Sequence, residues 1–340
     1  MTRTKDDNVI CISHKEDVDG IAAAMLIKRI FEPKSIVLVD YGNMIKALEK
    51  IASTVCSSDK KKPTEIFICD LALSQKNERE FTGVILKFIS NGIKVTYIDH
   101  HDLSKSIESE LKSMEVKLVH NIEECTTVQI YDEYKEQLTD DDHAAFYAAA
   151  AALTDYMDHK PVGSKLVRRF DRQFLMLQST ALSYIISANQ DNDPFLVSVV
   201  EILAEGSYTH DIKDGFSIAR RYAKMVGDAA KEIETSMKKL KNLAFAPSTS
   251  SLSTSMVVNF VLGTSGKPVA VIYKPREDLP GSCQISVRGT NECKLHLGRI
   301  VNKIATELEG NGGGHEKACG AIIPEHSINK FLRMLNEAVN

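Results

Sequence analysis

The chain has 340 residues, and its 42 lysines and arginines against 46 aspartates and glutamates give a formal net charge of −4. A single hydrophobic core stops growing at roughly 250–300 residues, so this length predicts two domains. A hydrophobic content of 43% with 26% charged residues excludes a disordered chain. The mild acidity and the absence of tryptophan argue against a broad basic surface that holds long nucleic acid.

No targeting or membrane segment is recognisable in the sequence. The first ten residues are polar and charged, unlike a signal peptide, and no apolar run approaches the roughly 18–20 residues that span a bilayer. The seven cysteines are scattered without a CxxC pair, which is typical of a reducing compartment. We therefore expect a cytoplasmic protein that has no disulfides and no membrane partner.

The first 120 residues alternate short apolar runs with helical patterns. The runs are continuously apolar and rich in valine and isoleucine, as strands buried on both faces are. They cover residues 8–13, 35–40, 64–70, 94–99 and 116–120. Helical patterns between them cover residues 20–31, 43–55 and 74–90. This alternation predicts an α/β fold with a doubly wound parallel sheet.

The rest of the chain predicts a helical region and then a second, smaller α/β domain. Helices are expected over residues 125–204 and 216–243, and the serine- and threonine-rich segment 247–255 is typical of a linker or of a surface loop. Beyond it we predict strands at 256–263, 269–274, 283–288 and 318–323, a glycine loop at 312–314, and helices at 294–308 and 327–339. The predicted domains are 1–205 and 256–340, joined by a helix and linker at 206–255 with the break near residue 245.

Acidic residues and histidines cluster where three of the predicted strands end. In a parallel sheet these ends meet at one edge, where such folds bind ligands. Topology therefore brings together His14, Asp17, Asp19, Asp70, Asp99, His100 and His101. A single aspartate in such a place, such as Asp40 after the second strand, is usually a helix cap or turn residue. Three such strand ends are much harder to explain in that way.

These side chains predict a site for two divalent cations. Carboxylates at this density repel one another and raise each other's pKa unless a cation neutralises them. Oxygen and imidazole ligands suit Mn²⁺ or Mg²⁺, with Co²⁺ or Fe²⁺ as alternatives, and ion pairs at about 3.5–4 Å serve phosphoester hydrolysis. Asp70 is placed to bridge the ions, and Asp99 to fix the tautomer of the ligand His100.

The motifs resemble those of the DHH phosphoesterase superfamily, which is named for the sequence found here as Asp99-His100-His101. The opening motif is matched by His14, Asp17, Asp19 and Gly20, the second by Asp70, and the fourth by Thr154-Asp155. The C-terminal part is similar to the DHH-associated substrate-binding domain. Its signature is found here as the glycine-rich segment 312–320 and as Arg288.

The resemblance implies roles for the matched residues. One ion would be held by His14, Asp17 and Asp70, and the other by Asp19, Asp70, His100 and Asp155. Glu16 and Asp158 stay open as alternative ligands. His101, with Asp99, would assist the reaction at the scissile phosphate. In the second domain a substrate phosphate would be bound by Arg288, Gly312, Gly313, Gly314 and His315.

The resemblance also implies an activity, a Mn²⁺-dependent phosphodiesterase or phosphatase in which Mg²⁺ or Co²⁺ are alternative cofactors. The compact layout is similar to members that degrade very short oligonucleotides or dephosphorylate adenosine bisphosphate, so the expected substrate is a short single-stranded nucleic acid or a nucleotide phosphate. A homodimer is left open. A RecJ-like single-strand exonuclease and a cyclic-dinucleotide phosphodiesterase are the alternatives. A non-catalytic assembly partner of replication or repair proteins is a further one, against which the intact acid and histidine set argues.

Overall fold

The structure, a computed structural model of the chain, describes residues 8–57, 62–74, 76–138, 140–314 and 316–340. It divides into two compact units, Met1–Arg220 and Arg221–Asn340. The segment 206–255, expected to connect two domains, is therefore shared between the two units. Within the described part of the chain, no helix combines the length and apolar character needed to cross a membrane.

The N-terminal unit contains a five-stranded sheet with the strand order β2-β1-β3-β4-β5, in which every neighbouring pair is parallel. Its strands are β1 (Val9–His14), β2 (Ser35–Val39), β3 (Glu65–Cys69), β4 (Lys94–Asp99) and β5 (Lys117–His120). The chain runs outward from β1 in one direction to β2 and in the other to β3, so a topological switch point lies beside β1. The predicted doubly wound parallel sheet is confirmed.

Helices cover both faces of this sheet. They are α1 (Val18–Phe31), α2 (Met44–Ser57), α3 (Glu78–Ser90), α4 (Lys105–Ser113), α5 (Thr126–Tyr134), α6 (Asp141–Thr154), α7 (Pro161–Val167), α8 (Arg172–Ser187) and α9 (Asp193–Ala204). Successive residues of one strand enter different cores: Cys11 belongs to the core that contains residues of α1 and α5 to α9, and Ile12 to the core that contains residues of α2, α3 and α4. The strands are continuously apolar because both of their faces are buried.

The C-terminal unit contains a six-stranded mixed sheet with the order β10-β11-β9-β8-β7-β6. Helix α10 (Gly215–Ser236) leads into it, followed by β6 (Lys238–Lys239), β7 (Leu243–Pro247), α11 (Thr254–Ser265), β8 (Val269–Pro275), β9 (Ser282–Gly289), α12 (Leu297–Glu307), β10 (Asn311–Gly314), β11 (Ala318–Pro324) and α13 (Ile328–Ala338). The smaller α/β unit is thus present as the sequence predicts.

Several local predictions for this unit are wrong. Residues 256–263, predicted as a strand, lie within α11, where Val257, Val258 and Val261 share one buried helical face. The valines suggested a strand, but their spacing of three and four suits a helix. Helix α10 ends at Ser236 rather than at residue 243, and β7 pairs with β8, so the sheet begins before the predicted linker. The predicted glycine loop 312–314 forms most of β10.

Candidate metal centre

The carboxyl ends of β1, β3 and β4 place the predicted residues at one edge of the N-terminal sheet. His14 is the last residue of β1, Asp70 follows β3, and Asp99 ends β4. The backbone of Asp70 is left-handed, with φ of 56°, and its N–H donates to the carbonyl of Ile98 at 3.0 Å. Aspartate tolerates this conformation better than most residues do, and the turn directs the carboxylate of Asp70 toward its neighbours.

The first group of facing side chains is His14, Asp17 and Asp70. Nδ1 of His14 lies 2.9 Å from Oδ2 of Asp17 and 3.5 Å from Oδ2 of Asp70. Glu16, the alternative ligand, approaches the other ring nitrogen at 3.6 Å. Even so, both nitrogens of His14 and Oδ2 of Asp70 are buried without a hydrogen-bond partner among the described residues. A cation site requires metal-ligating atoms that face one another without forming hydrogen bonds to one another.

The second group is built around His100. Its Nε2 lies 3.4 Å from Oδ2 of Asp155, 3.5 Å from Oδ1 of Asp70 and 4.0 Å from Oδ2 of Asp19. The buried Oδ2 of Asp155 likewise has no hydrogen-bond partner among the described residues. Asp70 therefore directs one oxygen to each group, as a bridging carboxylate would. Asp158, the alternative to Asp155, is in none of the three metal-capable groups that the described residues form, the third of which is Asp70, His100 and His101.

Helix α5 fixes the orientation of Asp19. The backbone N–H groups of Thr126 and Thr127 each donate to one carboxylate oxygen of Asp19 at 2.8 Å. The hydroxyl of Thr126 donates to Oδ1 of Asp70 at 3.2 Å. The N-terminus of a helix is a favourable place for a carboxylate because its first N–H groups lack partners in the helix. The two threonines were not predicted as site residues, since neither carries charge.

Close packing of α1 against β1 requires glycine at position 20. A Cβ there would lie 2.3 Å from the carbonyl oxygen of His14 and 2.7 Å from its Cβ. We expect Gly20→Ala to lower the free energy of unfolding by about 2 kcal/mol or more, because backbone must move to make room. Urea denaturation measures this. Gly83→Ala in α3 is the matched control, since its Cβ would meet nothing within 4 Å; equal behaviour of the two variants would contradict the packing argument.

His101 is held by a separate set of contacts. Its Nδ1 lies 2.9 Å from Oδ1 of Asp99, and Asp99 also accepts from the hydroxyl of Tyr97 at 3.2 Å. On its other side, Nε2 of His101 lies 3.3 Å from the hydroxyl of Tyr41. Asp99 therefore orients His101, whereas the sequence suggested that it would orient His100.

Tyr41 is a site residue that the sequence analysis missed. Its ring stacks on that of His14, with centroids 4.1 Å apart and planes 19° apart, and its hydroxyl reaches His101. It comes just after β2, the strand end whose Asp40 was assigned to an ordinary turn. Asp40 does accept from the backbone and side chain of Asn43. The signal for Tyr41 in the sequence is its position just after a strand, which is weak because its side chain carries no charge.

Without a cation, the facing side chains strongly perturb one another's pKa. Burial, together with the carboxylates of Asp70 and Asp155, raises the pKa of Asp19 to about 8, and burial raises that of Asp155 to about 6. Burial lowers the pKa of His14 and His100, but the facing carboxylates outweigh it and raise these values to about 12 and about 10. Buried oxygen and imidazole donors with unsatisfied atoms fit hard or intermediate divalent cations.

The predicted phosphate-binding residues belong to the C-terminal unit. Arg288 in β9 and Gly312, Gly313 and Gly314 in β10 line one groove of about 570 Å³, on either side of β11. Position 312 requires glycine because a Cβ there would lie 2.9 Å from that of Ala321. His315 lies outside the described residues. The structure thus brings four of the five predicted residues to one groove.

Comparison with known proteins identifies the domain at the C-terminal end of the chain. The family model of the DHHA1 domain matches residues 240–340. An uncharacterized protein of Methanocaldococcus jannaschii is 24% identical over 211 residues, which are 61% of this chain and 45% of that protein. The chain therefore spans less than half the length of this curated relative.

Three solved structures resemble nearly the whole chain. The pGpG-specific phosphodiesterase PggH from Vibrio cholerae aligns with a TM-score of 0.60 and 12% identity, over 98% of this chain and 99% of that one. The DHH domain of a member of a ribosomal protein family aligns at 0.68 and 13%, over 98% and 86%. RecJ from Thermus thermophilus in complex with Mn²⁺ aligns at 0.61 and 12%, over 98% and 52%. At such low identities these similarities show the fold.

Three observations on the family of this chain agree. The DHHA1 model matches the C-terminal residues, the fold of DHH proteins extends over 98% of the chain, and Asp99-His100-His101 lies at the end of β4 beside the two groups of facing acids and histidines. Residues 240–340 therefore carry a DHHA1 domain, and the chain as a whole has the fold of PggH, RecJ and the DHH domain described above.

Proposed function

We propose that this protein is a metal-dependent phosphoesterase that hydrolyses short oligonucleotides or nucleotides. The observation that carries the proposal is the position of Asp70, which is 1% exposed and directs one oxygen to His14 and the other to His100. A buried carboxylate shared by two groups with unsatisfied donor atoms favours two cations over an ordinary ion-pair network.

The proposed ligands are those that the two groups contain. His14, Asp17 and Asp70 would hold one cation, and Asp19, Asp70, His100 and Asp155 the other, with Mn²⁺ preferred and Mg²⁺ or Co²⁺ as alternatives. Divalent cations bound there would neutralise phosphate charge and lower the pKa of a water molecule. The contacts of Thr126 and Thr127 keep Asp19 oriented for this role.

His101 is proposed to act on the substrate. The contact with Asp99 favours a proton on Nδ1 of His101 and leaves Nε2 directed to Tyr41. The side chain of His101 is partly exposed, whereas that of His14 is buried, which makes His101 the more accessible of the two to a substrate. Burial lowers the pKa of His101, but the hydrogen bond to Asp99 outweighs it and raises the pKa, so the protonated ring carries a proton on Nε2 as well. We expect Nε2 to donate this proton to the oxygen that leaves phosphorus, which is the task of a general acid.

A small substrate is favoured by the charge and by the groove of the second unit. A net charge of −4 does not suit a long polyanion. Arg288 can bind phosphate through two parallel N–H donors, and the glycines beside it in the groove let a ligand approach the backbone closely. The structural likeness to PggH, whose own substrate is pGpG, supports a dinucleotide as the first compound to test.

A substrate panel with Mn²⁺ tests the proposal. We expect faster hydrolysis of 5′-phosphorylated dinucleotides or adenosine 3′,5′-bisphosphate than of long single-stranded DNA, long single-stranded RNA or cyclic di-AMP. A preference for long strands would favour a RecJ-like exonuclease, and one for cyclic di-AMP a cyclic-dinucleotide phosphodiesterase. If no compound is hydrolysed with Mn²⁺, Mg²⁺ or Co²⁺, the enzyme proposal is wrong and the assembly-partner alternative gains.

A further inference from the structure

Tyr156 is an unusually exposed aromatic residue beside the proposed metal centre. Its side chain is 82% exposed, while the next most exposed large apolar side chain among the described residues, Leu177, is 54% exposed. Tyr156 directly follows Asp155, whose Oδ2 lies 3.4 Å from His100. Because consecutive Cα atoms are about 3.8 Å apart, the ring of Tyr156 is attached immediately beside a proposed ligand.

The backbone of Tyr156 is in a conformation that normally selects glycine. Helix α6 ends at Thr154, and Tyr156 has φ of 59°. The N–H of Met157 donates to the carbonyl of Ala152 at 2.8 Å, and that of Tyr156 to the carbonyl of Leu153 at 3.4 Å. This pair of bonds closes the helix in a Schellman motif, whose left-handed residue is usually glycine or asparagine.

A tyrosine at this position contributes little to the stability of the folded chain. The left-handed backbone is strained for a residue with a Cβ, and a ring that is 82% exposed is not stabilised by burial. Residues with strained backbones of this kind are enriched at active sites and ligand-binding sites. A flat, exposed ring beside a phosphate-processing centre suits another flat ring, because nucleobases stack on aromatic side chains whatever their sequence.

On the basis of the proposed function, we infer that Tyr156 is the platform on which a nucleobase next to the scissile phosphate stacks. It sets the preference of the site for substrates that carry a base. The occupant is a nucleotide rather than a protein partner, because a protein that covered Tyr156 would also cover the adjacent, partly exposed Asp155. The role concerns substrate binding, so Tyr156 takes no part in proton transfer.

The test compares a 5′-phosphorylated dinucleotide with an abasic dinucleotide that has the same phosphates. We expect Tyr156→Gly to raise KM for the dinucleotide by roughly 5- to 100-fold, the range that corresponds to loss of one stacked base. The kcat value should stay within about threefold, since only binding common to ground and transition state is removed. KM for the abasic compound should not change, and Tyr156→Phe should behave as the unmodified protein.

Tyr156→Gly is also expected to be no less stable than the unmodified protein, because glycine adopts the left-handed backbone without strain. Thermal melting checks this and separates a binding defect from unfolding. The matched control is Phe216→Ala in α10, a ring that is 40% exposed and outside the metal-capable groups. Its KM values should match those of the unmodified protein for both compounds.

The outcomes separate this inference from the proposed function. If the unmodified protein hydrolyses neither compound with Mn²⁺, Mg²⁺ or Co²⁺, the proposed function itself fails. If it hydrolyses both and Tyr156→Gly leaves both KM values unchanged, the function stands and the stacking role is wrong. A rise in KM that is equal for the two compounds also overturns the stacking role, because the residue then acts through the turn that holds Asp155.

Discussion

Replacing Asp70 with asparagine is expected to lower kcat with Mn²⁺ by a factor of about 10³ or more. Asparagine keeps the shape of the side chain and tolerates the left-handed backbone at φ of 56°. It removes the charge that faces both His14 and His100. Metal-assisted charge stabilisation supplies several kcal/mol, and each 1.4 kcal/mol or so corresponds to a tenfold change in rate. Steady-state hydrolysis of a 5′-phosphorylated dinucleotide measures the effect.

Asp40→Asn is the matched control for this substitution. It also replaces an acid after a strand of the same sheet, but Asp40 bonds Asn43 and is outside the metal-capable groups, so kcat should be almost unchanged. Cooperative unfolding of the metal-free Asp70→Asn protein in urea checks that the loss of activity is not a loss of folding. If Asp70→Asn kept more than a tenth of the activity, the bridging role of Asp70 would be wrong.

Mn²⁺ is expected to stabilise the metal-free protein, and more strongly at pH 8 than at pH 6. A ligand at 100 times its dissociation constant adds about 2.7 kcal/mol per site. For a domain of this size this corresponds to a rise in Tm on the order of 5–10 °C. Thermal melting of chelator-treated protein, with and without Mn²⁺ at each pH, measures the effect.

The direction of the pH dependence follows from the raised pKa values. The pKa of Asp19 rises to about 8 and that of Asp155 to about 6, both from 3.8. The folded metal-free protein thus holds protons that the unfolded chain has lost, and this stabilisation disappears as the pH rises through these values. The pKa values of His14 and His100, about 12 and about 10 against 6.5, act in the same direction between pH 6 and 8. Cations bind the deprotonated ligands, so their affinity increases over the same interval.

Asp155→Asn provides the control for metal stabilisation. It removes one proposed charged ligand that is only partly buried, so the Mn²⁺-dependent rise in Tm should shrink while the metal-free protein still melts cooperatively. An equal rise in Tm at pH 6 and pH 8 would contradict the assignment of these acids as ligands. The absence of any rise in the unmodified protein would contradict the metal centre.

The sequence predicts the N-terminal sheet well because its signal is local. Apolar runs between helical patterns identify β1 to β5, and parallel strand ends bring His14, Asp70 and His100 to one edge without any detail of side-chain packing. The roles of these residues as ligands stay a prediction. The valines of α11 show where this local signal fails, because a short apolar run does not distinguish a buried strand from a buried helical face.

The contacts that orient the site are less accessible to sequence reasoning. Thr126 and Thr127 contact Asp19 through backbone N–H groups, which any residue at the start of α5 would offer. Tyr41 contacts His101 although the two residues are 60 positions apart in the chain. Both depend on how helices and strand ends meet in three dimensions. Motifs identify residue types, but the assignment of Asp99 to His101 rather than His100 requires the fold.

The strand order β2-β1-β3-β4-β5 has a consequence for the timing of cation binding during folding. Strands β1, β3 and β4 and the end of α6 must come together before the proposed metal-ligating side chains, from His14 to Asp155, face one another. Parallel pairings between distant segments form slowly, so the full donor set is expected only after the folding transition state. Interactions that form that late slow unfolding and leave the folding rate almost unchanged. Bound cations would thus prolong the lifetime of the native state rather than guide the chain toward it.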